Sequence, residues 1–225
     1  MTITIISLFP DILSGFVSSS MIYKAQKIGA TKINLVNLRD YGEGQRKTVD
    51  DTPYGGGDGM LLKVEPLYKA IIASKKANPN SKVLLMTPRG YDYNQSHAKR
   101  LAKESKDLII VCGRYEGFDE RVTEFVDEQI SVGHFVLTGG EIPAMVVADS
   151  VVRLLPGVLG GELSAEIESF SEGDNREYPQ YTRPENFNGL EVPSVLLSGN
   201  HQEIENWREQ ESINFTQPLP ELDNQ

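Results

Sequence analysis

Leu108-Ile109-Ile110-Val111-Cys112-Gly113-Arg114-Tyr115-Glu116-Gly117 is a continuous apolar run that ends in a polar loop bounded by glycines. An apolar run without polar alternation is what a strand covered on both faces requires. The same form recurs outward from it. Residues 83–87 run into Pro88-Arg89-Gly90, and residues 2–9, 32–37 and, more weakly, 128–132 complete the predicted strands. Helical stretches lie between them. Residues 10–20 open at Pro10-Asp11, and residues 65–77 carry Pro66 in the first turn, where a missing N–H costs nothing. Residues 94–103 follow, then 119–125 with Asp119 as N-cap. Residues 141–154 are apolar on most faces and predict a buried helix. Strands alternating with helices predict an α/β fold around a mainly parallel sheet.

Length and composition set the frame. A chain of 225 residues with 39% hydrophobic content fits one large domain, or one domain and a small appendage. No eighteen-residue apolar run exists, so neither a transmembrane helix nor membrane partnership is expected. The N-terminus lacks a basic region before its apolar stretch and reads as a first strand rather than a signal peptide. Cys112 is the single cysteine and is expected to be a packed core thiol. A reducing, cytoplasmic setting fits it.

The net charge of −10 argues against nucleic acid at first sight. The charge is uneven, however. Residues 161–225 hold fourteen acidic and three basic side chains (Arg176, Arg183, Arg208), a net of −11, while residues 1–160 hold eighteen and nineteen, a net of +1. Three parts are therefore expected: a main domain over 1–159, a polar, flexible linker over 160–178, and a small, acidic, helical C-terminal domain over 179–225. The last of these holds a short helix near 202–210, and its last dozen residues, with Pro218 and Pro220, are expected to fray.

Glycines gather in the connecting loops. Tyr54-Gly55-Gly56-Gly57-Asp58-Gly59-Met60 lacks the Lys-Ser/Thr of a phosphate loop, and reads either as a close backbone approach or as a flexible turn. Thr87-Pro88-Arg89-Gly90, Gly113 to Gly117 and Leu137-Thr138-Gly139-Gly140-Glu141 belong to successive units. Ligands of open α/β sheets sit beyond the carboxyl ends of the strands, where such loops converge. Three of them point to a nucleotide-like ligand, and none matches the dinucleotide pattern G-x-G-x-x-G. Arg114 and Glu116 flank Tyr115 and read as either functional groups or a surface ion pair. Arg153 ends the buried helix, where it serves the helix dipole or a substrate. Glu168 and Glu177 read as solvated linker acids, and His97, His134 and His201 show no metal-ligand spacing.

Taken in order, Ile5 to Pro10, Thr48-Val49-Asp50-Asp51, Pro53 to Gly57, Val111 to Gly117, Asp119-Glu120-Arg121-Val122, Gly139-Gly140-Glu141, Pro156 to Gly160, Tyr181 to Glu185 and Val192 to His201 resemble the bacterial tRNA (guanine-37-N1)-methyltransferases, of the SPOUT superfamily. The likeness runs from Ile5 to about Arg208. It implies a parallel sheet whose C-terminal part forms a deep trefoil knot, followed by a linker and a small helical domain. It implies S-adenosylmethionine held by three loops: Leu85, Met86, Thr87 and Pro88; Gly113, Tyr115, Glu116 and Gly117; and Val132, Gly133, His134, Phe135, Val136, Leu137, Gly139 and Gly140 with Pro143. It implies a homodimer with the active site across the interface, a tRNA substrate, and Mg²⁺. The family's general base is an aspartate whose place is taken here by Glu168, and Arg153 matches an arginine expected near the guanine O6. Relatives often carry a longer and more basic C-terminal region, so RNA contacts are expected from Arg39, Arg46, Lys47, Arg89, Arg100 and Arg114. Two other expectations compete: a SPOUT relative that methylates another RNA, and a non-catalytic RNA- or nucleotide-binding protein.

Overall fold

The computed structural model describes residues 1–160, 168–170, 173 and 175–216. The chain divides into two compact units, Met1–Gly160 and Gly161–Gln225.

The first unit is built on five parallel strands: β1 (Thr2–Ser7), β2 (Lys32–Asn37), and, after two short strands β3 (Asp50–Asp51) and β4 (Leu61–Leu62), β5 (Ser81–Asp92), β6 (Asp107–Cys112) and β7 (Glu128–Ser131). Their order is β2-β1-β6-β5-β7, and β1, β5 and β6 are paired on both sides. Continuous apolar runs are needed because successive residues point to opposite faces and both faces are covered. Leu108, Ile110 and Cys112 belong to one cluster with Leu84, Met86, Ile3 and Ile5. Ile109 and Val111 belong to the other with Val83, Leu85 and Ile6.

Helices supply the two covers. On the first face lie α2 (Ser20–Lys27), α4 (Gln95–Glu104) and α5 (Glu141–Val152), through Ile22, Leu101, Val147 and Val151. On the second lies α3 (Val64–Ala77), which buries Pro66, Leu67, Ala70, Ile71 and Ser74, a stripe of helical period. The Asn94 side chain caps α4 by accepting from the His97 amide at 3.1 Å. Asp119 caps residues 120–125 by accepting from the Arg121 amide, although that turn is a 3-10 helix.

Three expectations change. The helix expected over 10–20 is a 3-10 turn (Pro10–Leu13), a single turn α1 (Ser14–Val17) and then the separate helix α2. The break falls in Ser18-Ser19-Ser20, where the Ser18 hydroxyl donates to the Ser14 carbonyl at 2.7 Å and competes with helix continuation. The strand expected to end at Thr87 runs to Asp92, but its pairing with β7 shifts between Met86 and Tyr91. Ile130 partners both of those residues, so 87–90 stand out as a bulge inside the strand rather than as a loop after it. Pro88, with no N–H for the ladder, sits where such a bulge tolerates it. Third, the glycine loop is the tip of the β3–β4 hairpin, in which Asp50 faces Leu62 and Asp51 faces Leu61. All four of its glycines have positive φ, and nothing lies within 4 Å of a methyl placed on Gly55 or Gly56, so there it is backbone shape rather than close approach that calls for glycine.

In the second unit, a hairpin of β8 (Asn186–Phe187) and β9 (Leu190–Glu191) precedes α6 (Ser194–Leu197) and α7 (His201–Thr216). The helix outruns the expected 202–210 because tertiary bonds, not apolar periodicity, extend it. Ser212 donates to the Arg176 carbonyl, and the Arg176 amide donates to Thr216 Oγ at 2.9 Å. Much of the polar stretch expected to be a linker, and the chain beyond Thr216, lie outside the described residues.

Candidate active site

A cavity of about 590 Å³ opens where the bulge in β5 meets the carboxyl ends of β6 and β7. Its walls come from three segments: the bulge, Met86 to Arg89; the loop after β6, Gly113 to Phe118; and the stretch from Ile130 to Gly140, with Pro143 of α5. The placement follows from the sheet, since parallel strands deliver all their following loops to one edge.

The loop after β6 is held from both sides. On one side, the Gly140 amide donates to the Gly113 carbonyl at 2.8 Å, and Arg114 bridges Gly139 in antiparallel fashion. On the other, the Glu116 amide donates to Met60 at 3.1 Å and the Leu62 amide donates to Gly117 at 3.0 Å. The crossing at Gly140 is tight. A methyl there would lie 2.7 Å from Cys112 Cα, a distance no real contact sustains, so glycine is the residue that lets α5 start against the end of β6. Between these anchors Tyr115 is held at φ +59°, a left-handed conformation that costs a non-glycine residue on the order of 1 kcal/mol or more and that packed surroundings must maintain.

Charge on the wall is arranged rather than diffuse. Arg114, 18% exposed, does not pair with Glu116; it meets Glu141, 2% exposed, at 3.1 Å, and donates to the Thr138 carbonyl at 3.1 Å. Glu141 also accepts from Ser7 at 2.7 Å. Arg89 pairs with Glu120 at 2.6 Å on the outer rim. The Cys112 thiol beneath the floor is fully buried and pushed well up by that burial, so it is a packing group and not a nucleophile.

The expected cofactor loops are therefore brought together. Met86, Thr87, Pro88, Gly113, Tyr115, Glu116, Gly117, Val132, Gly133, Phe135, Val136, Leu137, Gly139, Gly140 and Pro143 all line the cavity. Two expected residues do not. Leu85 is fully buried in the cluster beneath the other face of the sheet, a consequence of strand alternation. His134 turns outward and meets Asp92 at 3.1 Å, both side chains well exposed. The sequence reading missed Leu61, Phe118, Glu120, Ile130 and Ser131. Ile130 and Ser131 end β7, so the carboxyl-end rule would have found them; Leu61 comes from a two-residue strand with no signal of its own.

Arg153 stands at the C-cap of α5, where its amide donates to Asp149 at 3.0 Å. Glu168 belongs to the second unit. There the Glu177 amide donates to Ser169 Oγ at 2.9 Å, and the Phe170 amide donates to Asn175 at 2.6 Å, so the segments bearing Glu168 and Glu177 run side by side. Of the cations expected to meet RNA, Arg100 is turned inward, making two bonds to Glu128 at 2.8 and 2.7 Å, as Arg114 is toward Glu141. Among the described residues no group of three His, Cys, Asp or Glu is placed to hold a metal ion, and no helix is long and apolar enough to cross a membrane.

The chain is similar to several known proteins across nearly its whole length. A family profile described as "tRNA (Guanine-1)-methyltransferase TrmD" matches residues 1–222. A tRNA (guanine-N(1)-)-methyltransferase of Metamycoplasma arthritidis is 53% identical over 96% of this chain and 92% of its own. One of Geobacter sulfurreducens is 52% identical over 99% of this chain and 91% of its own. Among solved structures, the tRNA (m1G37) methyltransferase from Aquifex aeolicus superposes with a TM-score of 0.80 at 38% identity, over 96% of this chain and 91% of that one. Sequence and fold thus agree along the same residues that carry the hydrogen-bonded loops, and the chain belongs to the tRNA (guanine-1)-methyltransferase family.

Proposed function

We propose that this chain transfers the methyl group of S-adenosylmethionine to N1 of guanine 37 in tRNA, in the cavity where the bulge in β5 meets the ends of β6 and β7. The observation that carries this is the interlock of the Gly113–Gly117 and Gly139–Gly140 loops around that cavity. Its volume of about 590 Å³ falls within the range of small-molecule sites, roughly 300–1,000 Å³. Apolar wall residues such as Val136, Leu137 and Pro143 suit an adenine ring, and the backbone groups of three segments suit its edges. When bound, the cofactor supplies an electrophilic methyl group on a sulfonium. We further propose that the interlock is the crossing of a deep trefoil knot.

The protein's own task is to make guanine N1 nucleophilic. That nitrogen carries a proton, and a carboxylate within hydrogen-bond reach removes it. General-base help of this kind is worth about 10²–10⁴-fold. Glu168 is the proposed base. Charge that develops on O6 as N1 loses its proton is met by a fixed cation, for which Arg153 is proposed. The Mg²⁺ expected by resemblance finds no cluster of ligands among the described residues, so no step is assigned to it.

The site is proposed to be completed by a second copy of the chain. Helix α5 is buried along most of its length, yet Ile142 and Val146, one turn apart, are 51% and 44% exposed, and Phe135 and Val136 beside the cavity are 55% and 84% exposed. Apolar side chains grouped this way suit a homodimer interface. Contacts to tRNA phosphates are proposed for the exposed Arg39, Arg46 and Lys47. Methylation assays on tRNA transcripts differing only at positions 36 and 37, with analysis of the modified nucleosides, test the reading. 1-Methylguanosine that requires guanine 37 is the expected product; 2′-O-methyl or methyluridine products would overturn it.

A further inference from the structure

The buried carboxylate of Glu141 is used by nothing in the proposed chemistry, and it closes a circuit of four residues. The Ser7 hydroxyl, fully buried, donates to Glu141 Oε1 at 2.7 Å and accepts from the Phe9 amide at 2.9 Å. Arg114 Nε lies 3.1 Å from Glu141 Oε2. The Arg114 guanidinium rests over the Phe9 ring, 4.8 Å from its centre. The circuit ties the end of β1, the loop after β6 and the first turn of α5 into one unit. Arg114 extends it by a bond to the Thr138 carbonyl at 3.1 Å, which reaches the segment before α5.

Burying a carboxylate is costly, and one without partners would be expelled or neutralised. Here the cost is offset three ways. A cation pairs with it, a hydroxyl donates to it, and its place in the first turn of α5 sets it near the positive end of the helix dipole. A core position is more simply filled by an apolar side chain, as at Ala144, Val147 and Ala148 on the same helix. What an ion pair adds over such a residue is direction: it holds Arg114 in one orientation, with its neighbours Tyr115 to Gly117 on the cavity wall.

We propose that Glu141 is a positioning residue for the cofactor site, acting through Arg114 to fix the spacing between the Arg114–Gly117 and Thr138–Gly140 segments. The proposal rests on the reading of the cavity as the S-adenosylmethionine site. A shift between the two wall segments would break contacts to the bound cofactor, so loss of the circuit would show as weakened cofactor binding.

Glu141→Gln tests it, since glutamine keeps the shape and removes the charge. The expected result is a KM for S-adenosylmethionine raised roughly tenfold or more, kcat at saturation within about twofold of the native protein, and faster hydrogen exchange at residues 113–117 and 138–140 but not at β2 or α3. Glu141→Asp should recover part of the affinity. A KM within twofold of native, together with unchanged exchange in both loops, would overturn the proposal. A uniform rise in exchange over the whole first unit would also overturn it, since that is the mark of a merely structural role. Should Glu141→Gln fail to fold, Ser7→Ala removes one donor and leaves the ion pair. The same pattern, smaller, is then expected, and its absence counts against the proposal. The exchange measurement uses no ligand. If the native protein shows no S-adenosylmethionine binding by calorimetry, the cofactor reading falls, and the loop-exchange pattern still decides whether Glu141 positions them.

Discussion

The amide of Gly140 and the carbonyl of Gly113 meet at 2.8 Å, joining the start of α5 to the end of β6 at a point where no side chain fits between them. Gly140→Ala places a methyl 2.7 Å from Cys112 Cα, and backbone atoms cannot move aside as a side-chain tip would. The φ of −83° at Gly140 suits alanine, so any loss is steric rather than conformational. Overpacking of this kind typically costs about 1–3 kcal/mol. Thermal unfolding should show that loss, and calorimetry should show weakened S-adenosylmethionine binding, because the displaced segments are the cavity walls.

Replacing Glu168 by Gln removes a base while keeping the side chain's length. Single-turnover methylation is expected to fall by about 10²-fold or more, with cofactor affinity unchanged. Glu168→Asp should retain activity within roughly tenfold, since it keeps the acid–base chemistry and shortens the reach by one methylene. Activity of Glu168→Gln within a few-fold of native would move the assignment to Glu177, which lies on the adjacent segment, or to Glu116 on the cavity wall.

Much of the first unit is legible in the amino-acid sequence. The strand at 108–112 is readable because residues facing two covered sides must all be apolar. Helix α3 is readable from Pro66 in its first turn, and the start of residues 120–125 from the capping chemistry of Asp119. The register shift at 87–90 was not, because Thr-Pro-Arg-Gly reads equally well as a strand-ending loop; only pairing to Ile130 makes it a bulge. The Arg114 partner was not legible either. Glu116 is two residues away in sequence, while Glu141, the actual partner, is brought in by the fold. His134 and Leu85 are expected at the site by their place in a motif, and local direction turns their side chains away from the cavity.

Acid should weaken the first unit through Glu128. Two bonds from Arg100 and one from Lys82 favour its charged form and hold its pKa near 2, below the ordinary value of 4.5. A depressed carboxylate contributes stability that is present above its unfolded pKa and lost as pH falls through the folded one. Stability should therefore decline between about pH 4.5 and pH 2, and Glu128→Gln should flatten that part of the curve while lowering stability at neutral pH. Chemical denaturation across this range measures both.

Ile142→Lys with Val146→Lys puts two charges on the exposed turn of α5 without touching its buried face. On the proposed homodimer, sedimentation or light scattering should show a shift from dimer to monomer, with methylation lost and the far-ultraviolet spectrum kept. A dimer that persists would place the interface elsewhere.

The bulge in β5 fixes a number as well as a shape. Strand residues face alternate sides, so the count between Met86 and Tyr91 decides which way Tyr91 and Asp92 point once pairing to β7 resumes. Insertion or loss of one residue at 87–90 would reverse both side chains, or drag β7 out of step with the edge of the sheet. The side chains of Pro88 and Arg89 stand exposed on the cavity wall, whereas Gly90 admits no side chain against the backbone of Ile130, and the length of the segment is set as well. In this stretch of the cavity wall the number of residues is held as firmly as any side chain.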